Sequence, residues 1–209
     1  MKVIILLLLF IVQGCNYQTE GVNLGLTKFH LGKKILFCSP ITPKKENKKF
    51  ADSLGKYFYL ELLRYSKGGL INSSSLENTR DIITWDNIIV NGEVNLDELS
   101  YIAETLKCET FLVTRLLDAS NFPPYRTVVL IEWYDTKSKE LLAKLYNSSN
   151  LDFGDTKNKF EVYLMKKNQF IGENLLSDNA SLKTALLKPE EFQKFLAHIA
   201  VQGLLPELN

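Results

Sequence analysis

The chain has 209 residues, of which 45% are hydrophobic and 23% charged, and this balance excludes disordered and low-complexity classes. Six Pro, 11 Gly and three Cys rule out a collagen-like chain and a disulfide scaffold. Twenty-five Lys and Arg against 24 Asp and Glu leave a formal charge of +1, so no nucleic-acid partner is expected.

At the amino terminus, Lys2 supplies a positive charge, Val3 to Val12 is an unbroken apolar run, and Gln13-Gly14-Cys15 follows. These are the n-region, h-region and small-residue cleavage site of an export signal. The run is about 15 Å long as a helix. Spanning a bilayer takes about twenty apolar residues, so it is too short to stay as a transmembrane helix. Cys15 directly after Val12-Gln13-Gly14 resembles the bacterial lipobox, in which the thiol is alkylated by diacylglycerol and the chain is cut before it. Residues 1–14 are therefore expected to be a signal peptide and Cys15 the lipidated first residue of the mature chain. The alternative is an ordinary secretory signal with an incidental Cys. Acyl chains contribute about 0.8 kcal/mol per buried methylene, enough for three of them to anchor the protein on a membrane without crossing it. Asn16 stands where an Asp would signal inner-membrane retention in some diderm bacteria, which favours an outer-membrane site facing the periplasm.

Removal of residues 1–14 takes away one Lys and leaves 24 basic against 24 acidic residues. Residues 15–33 are polar and Gly-dotted (Gly21, Gly25, Gly32) and read as a lipidated tether to a single domain over 34–209. Lys34 to Ile41, stopped by Pro40 and Pro43, reads as a first buried strand. From Lys45 to Ser66 the residues Phe50, Leu54, Tyr57, Phe58, Leu62 and Tyr65 recur at three and four, the pattern of an amphipathic helix stopped by Gly68-Gly69. Leu70 to Asn72 is a short edge-strand candidate, and Arg80 to Val94 stays ambiguous between loop and ordered structure. Asn95 has the character of an N-cap, with Glu98 three residues later and Leu99, Ile102, Ala103 and Leu106 on one helix face.

Glu109 to Asp118, Thr127 to Tyr134 and Glu140 to Ser148 are strand-like and joined by short turns, an antiparallel meander. The fold class is thus α/β (α+β): a mixed sheet of about five strands in β-α-β-α-β-β-β order, with helices chiefly on one face. A helical extension follows from about Asp152. It holds Phe160, Tyr163 and Leu164 at helical spacing, an irregular stretch from Ile171 to Leu186, and a last helix opened by Pro189 with Glu190-Glu191 at its positive end.

The chemical inventory is sparse. His30 and His198 are far apart and no Cys-x-x-Cys occurs, so no metal and no cofactor is expected. No Gly-x-Ser-x-Gly turn and no phosphate-cradling loop is present. Asp152 and Asp155 could pair for acid/base work, but solvated loop acids are the better reading, and Cys38 and Cys108 read as buried free thiols rather than a bridge. Two aromatic groups are candidates for contact with a partner: Trp133 and Tyr134 at a strand end, and Phe122 and Tyr125 in the loop Asn121-Phe122-Pro123-Pro124-Tyr125. Alternation along a strand turns only one of Trp133 and Tyr134 outward.

The lipobox, the element order and two short patterns resemble a group of envelope lipoproteins related to the penicillin-binding-protein activator LpoB, the CsgG-type secretion lipoproteins and the amino-terminal domain of TolB. The patterns are Leu99 to Leu106 (Leu-x-x-Ile-Ala-x-x-Leu) leading into Thr110 to Thr114, and Tyr134-Asp135 through a turn into Glu140-Leu141-Leu142. The resemblance covers roughly residues 34–150 and implies a lipid-anchored, non-catalytic module that binds or assembles envelope proteins. Two other readings remain. One is a periplasmic carrier of a small hydrophobic ligand held between the last helices and the sheet near Phe160, Leu164, Phe195 and Ile199. The other is an enzyme with a dispersed site at Asp118, Asp135 and Asp152.

Overall fold

The structure, a computed structural model, describes residues 19–23, 28–76, 79, 81–171 and 184–205. The signal peptide and Cys15 lie outside the described residues, as does most of the stretch from Ile171 to Leu186. The elements are β1 (Thr19–Asn23), α1 (Lys28–Leu31), β2 (Ile35–Ile41), α2 (Lys48–Leu63), β3 (Leu70–Asn72), α3 (Trp85–Ile88) and the hairpin β4 (Ile89–Val90) and β5 (Glu93–Val94). They continue through α4 (Leu96–Thr105), β6 (Thr110–Ala119), β7 (Arg126–Asp135), β8 (Leu141–Asn150), α5 (Gly154–Ile171) and α6 (Pro189–Leu204). Among the described residues no helix is long and apolar enough to cross a bilayer.

The main sheet has six strands in the order β1-β8-β7-β6-β2-β3. β2 runs parallel to β3 and β6, and β6, β7 and β8 form the expected antiparallel meander. All five strands read from the sequence are present. The sixth, β1, corrects the reading of residues 15–33 as a tether: Thr19 to Asn23 pair antiparallel with Asn147 to Ala143 of β8. An edge strand is held by its backbone ladder, so a polar, Gly-containing segment can fill the place without an apolar repeat to announce it.

β2 shows why the domain has two cores. Ile35 and Phe37 join one apolar cluster with the α2 residues Phe50, Leu54, Phe58 and Leu62, whereas Leu36, Cys38 and Ile41 join a second with Leu99, Ile102 and Ala103 of α4. The three longest helices, α2, α5 and α6, cover the first face, as expected, and α4 with α3 covers part of the other. Gly55 lets α2 approach β2 closely, because a Cβ there would stand 2.5 Å from Pro40 Cδ. Asn95 caps α4 through Oδ1, which accepts from the Glu98 N–H at 3.2 Å. Cys38 and Cys108 are both buried and free.

The ambiguous stretch is ordered from Asp81 onward. α3 leads into a hairpin turning on Asn91 (φ 53°) and Gly92 (φ 83°), both in the left-handed region that a tight two-residue turn requires.

Candidate functional site

A broad surface groove grows out of how deeply α6 sits. Phe192, Phe195, Leu196, Ala200, Val201 and Leu204 alternate around the helix at intervals that point toward the sheet and both neighbouring helices, and all are buried. From Glu191 to Leu205 no residue of α6 is exposed. Because α6 is sunken, α2 and α5 rise on either side of it and leave a groove of about 1160 Å³. Tyr57, Leu60 and Glu61 form one wall, Val162 and Tyr163 the other, and Phe195, His198 and Ile199 the floor.

Most charges of the groove are paired within the fold. His198 Nδ1 lies 2.9 Å from Glu61 Oε1, and Arg64 stands 2.8 Å from the other carboxylate oxygen. Burial disfavours the charged form of Glu61, but the hydrogen bond from His198 and the charge of Arg64 outweigh it, so its pKa lies below the ordinary value. Tyr163 packs its ring 5.3 Å from that of His198, and burial, with Glu191 and Glu61 next in weight, pushes its hydroxyl up to about 12. At the far end Lys194 bridges Glu190 at 2.7 Å and Glu191 at 3.1 Å, and Lys167 meets Glu191 at 2.5 Å. Tyr57 donates to Glu190 at 2.8 Å. No Ser, Thr or Cys is among the described residues lining the groove, and its hydroxyls are those of Tyr57 and Tyr163. The arrangement is an apolar trough with a polar, mainly basic rim.

A second crevice of about 670 Å³ lies beyond the carboxyl ends of β2 and β3. There α2 leaves for one face of the sheet while the chain from β3 goes on to α4 on the other, the kind of switch point at which open α/β sheets hold ligands. Its lining mixes Lys44, Lys45, Lys48 and Lys56 with Asp52, Asp81 and Asp86, so it selects neither sign of charge. Among the described residues no group of three or more His, Cys, Asp or Glu is placed to hold a metal ion.

Three of the aromatic candidates are corrected by the structure. Trp133 is fully buried in the core under α2 and α6, and Tyr134, only 8% exposed, stacks on Phe111 in the other core at 5.4 Å. Alternation turns the two rings to opposite faces as expected, but helices cover both faces at this level of the sheet, so neither is presented to a partner. Burial and then Glu132 push the Tyr134 hydroxyl up to about 12. Tyr125 is buried as well, stacked on Phe192 with its hydroxyl donating to the Leu187 carbonyl at 2.6 Å. Phe122 stands out into solvent at 77% exposure.

The dispersed acids are not brought together. Asp118 lies near the end of β6, held by Lys44 at 2.5 Å, whereas Asp135 is opposite Thr110 at the other end of the meander and pairs with Lys33 at 3.3 Å. Asp152 is exposed in the turn after β8. The space expected for a carrier's ligand is also filled: Phe160 and Phe195 meet at 5.1 Å, and the void between α6 and the sheet is about 10 Å³, room for about one water and far too little for a ligand. The groove lies on the outer side of these helices instead. Sequence reasoning missed it because Glu61 and His198 are 137 residues apart and carry no local signal of meeting.

No family model matches this sequence, and no curated protein matches it at a significant level. Among solved structures the fold is similar to a PelC dodecamer from Paraburkholderia phytofirmans (9% identity, 64% of this chain and 81% of that one, TM-score 0.44). It is also similar to the LpoB C-terminal domain from Salmonella enterica (12% identity, 56% and 82% of the two chains, TM-score 0.38) and to lipoprotein GNA1162 from Neisseria meningitidis (12% identity, 68% and 99%, TM-score 0.39). An LpoB domain, of the group that the sequence patterns resemble, is thus among the solved structures to which this chain is similar.

Proposed function

We propose that this chain is a cell-envelope lipoprotein, anchored through a lipid on Cys15, whose folded domain is a non-catalytic binding or assembly module for other envelope proteins. The observation that carries it is the sequence Lys2 to Cys15, a short apolar run ending in Gly14-Cys15. The outer membrane, facing the periplasm, is the proposed site, on the strength of Asn16. The lack of convergence among Asp118, Asp135 and Asp152 favours a module over an enzyme.

The test is intact mass of the protein extracted from its own membrane, beside a Cys15→Ser variant, followed by crosslinking in whole cells. A mature species beginning at Cys15 with added acyl mass, lost in the variant, is expected, together with an envelope protein crosslinked to the folded domain. An unmodified Cys15 would refute the anchor. A second reading, a carrier of an amphipathic ligand, is favoured by the groove over α6, whose volume slightly exceeds that of most small-molecule sites. Native mass spectrometry of the protein from its source would show a co-purifying ligand, displaced by Ile199→Trp.

A further inference from the structure

The position of β1 bears on how such an anchored protein meets its membrane. Only Asn16, Tyr17 and Gln18 stand between Cys15 and Thr19, the first residue of β1. At about 3.5 Å per residue the Cys15 Cα lies within about 14 Å of the Thr19 Cα however the chain runs. A bilayer holding the lipid on Cys15 is therefore drawn up against the body of the domain.

Register tells which end of the domain is concerned. Thr19 pairs with Asn147 and Asn23 with Ala143, so the chain enters β1 from the end of the sheet at which β8 finishes at Asn150 and β7 begins at Arg126. Of the connections that leave that end, two carry an exposed phenylalanine. Phe122, 77% exposed, tips the β6–β7 connection, and Phe153, 42% exposed, lies in the turn between β8 and α5. The loops are joined where the Leu151 N–H donates to the Tyr125 carbonyl at 2.9 Å. Among the phenylalanines whose burial the structure describes, these two are the exposed ones. Large apolar rings left in water beside an anchoring point are what an interfacial surface requires, since the headgroup layer takes up their apolar area.

We infer that the end of the sheet carrying Phe122 and Phe153 rests on the bilayer surface that holds Cys15, with both rings set into its headgroup layer. This rests on the proposed lipidation of Cys15. Charge is not the driving term, because this end mixes both signs: Asp118 holds Lys44 and Arg126, and Asp152 and Asp155 lie beside Phe153. Seating is therefore expected on phosphatidylcholine as well as on mixtures with anionic lipid. The docked orientation turns the opposite end of the sheet, with the turn at Lys137, into the aqueous space about 30 Å away.

The experiment uses the full acylated chain in phosphatidylcholine vesicles, with a nitroxide label at Asn121→Cys, Asp152→Cys or Lys137→Cys in turn. Phe122 and Phe153 are kept, and the buried Cys38 and Cys108 do not compete for label. Collision with lipid-soluble oxygen and with an aqueous nickel chelate is measured at each site, and acylation is checked by intact mass on the same samples. Labels at Asn121 and Asp152 are expected to be several-fold more shielded from nickel than the label at Lys137, and Phe122→Ser with Phe153→Ser is expected to abolish the difference. An acylated protein whose three labels are equally open to nickel overturns the docking and leaves the anchor standing. Labels shielded only after another envelope protein is added overturn it in favour of a protein partner at this end. A chain without acyl mass overturns both.

Discussion

The two faces of the central sheet are built from alternate residues of the same strands, yet they solve burial differently. Under α2, α5 and α6 the face is aromatic, with Trp133, Phe58, Phe160, Phe192 and Phe195 in one cluster and rings meeting edge-on or tilted at 5.1–6.3 Å. On the other face the cover is partial. Beyond the small cluster around Phe111 and Tyr134, Arg115 and Glu132 are buried as an ion pair at 2.6 Å, with Lys144 at 3.0 Å from Glu132 and Arg115 also donating to the Gly92 carbonyl at 2.8 Å. One face stabilises by area and shape. The other uses charge to pin the β4–β5 hairpin over strands that no long helix reaches, and charge buried in this way is justified by geometry more than by net energy.

The comparison is broken most directly on the aromatic face. Trp133→Ala is expected to cost about 3–5 kcal/mol in denaturant unfolding. Trp133→Phe is expected to cost only about 1 kcal/mol, since the indole N–H has no partner and its removal leaves nothing unsatisfied. On the charged face Glu132→Gln is expected to cost about 3 kcal/mol by leaving Arg115 buried without its counter-charge. Replacing Arg115 and Glu132 together by Leu is expected to cost less than Glu132→Gln alone, and a double variant that is the worse of the two would show the pair to be net stabilising.

The smallest effect concerns the outer side of the helical layer, where Glu61 is held below its ordinary value despite its burial. For a carboxylate depressed in the folded state, the unfolded chain binds the proton first, so the stabilisation is complete above the unfolded value of about 4.3 and is lost as pH falls through the lower folded value. Glu61→Gln is expected to lose about 1 kcal/mol at pH 7. Its stability should then fall less steeply than that of the parent chain below about pH 4.3, measured by urea unfolding across that range.

Local signals survived folding well. The spacing of Phe50, Leu54, Phe58 and Leu62, the Asn95 cap and the three meander strands are all found where the sequence puts them. The hairpin at Asn91-Gly92 was also legible, since that dipeptide between Ile89-Val90 and Glu93-Val94 is a strong turn signal, but the reading of residues 80–94 passed over it. The candidate site was not legible. The groove depends on α6 sinking between α2 and α5, and no residue of any one helix records how high its neighbours stand.

By itself the sequence determined the order of the elements, the side of each strand or helix that faces inward, and the lipobox-like motif at Cys15. Those are local properties, set by period, capping and turn chemistry within a few residues. Only the tertiary structure decided that Trp133, Tyr134 and Tyr125 are covered, that Thr19–Asn23 completes the sheet, and that Glu61 meets His198. A periodic pattern states which way a side chain points, whereas what lies over it is settled by elements distant in the chain.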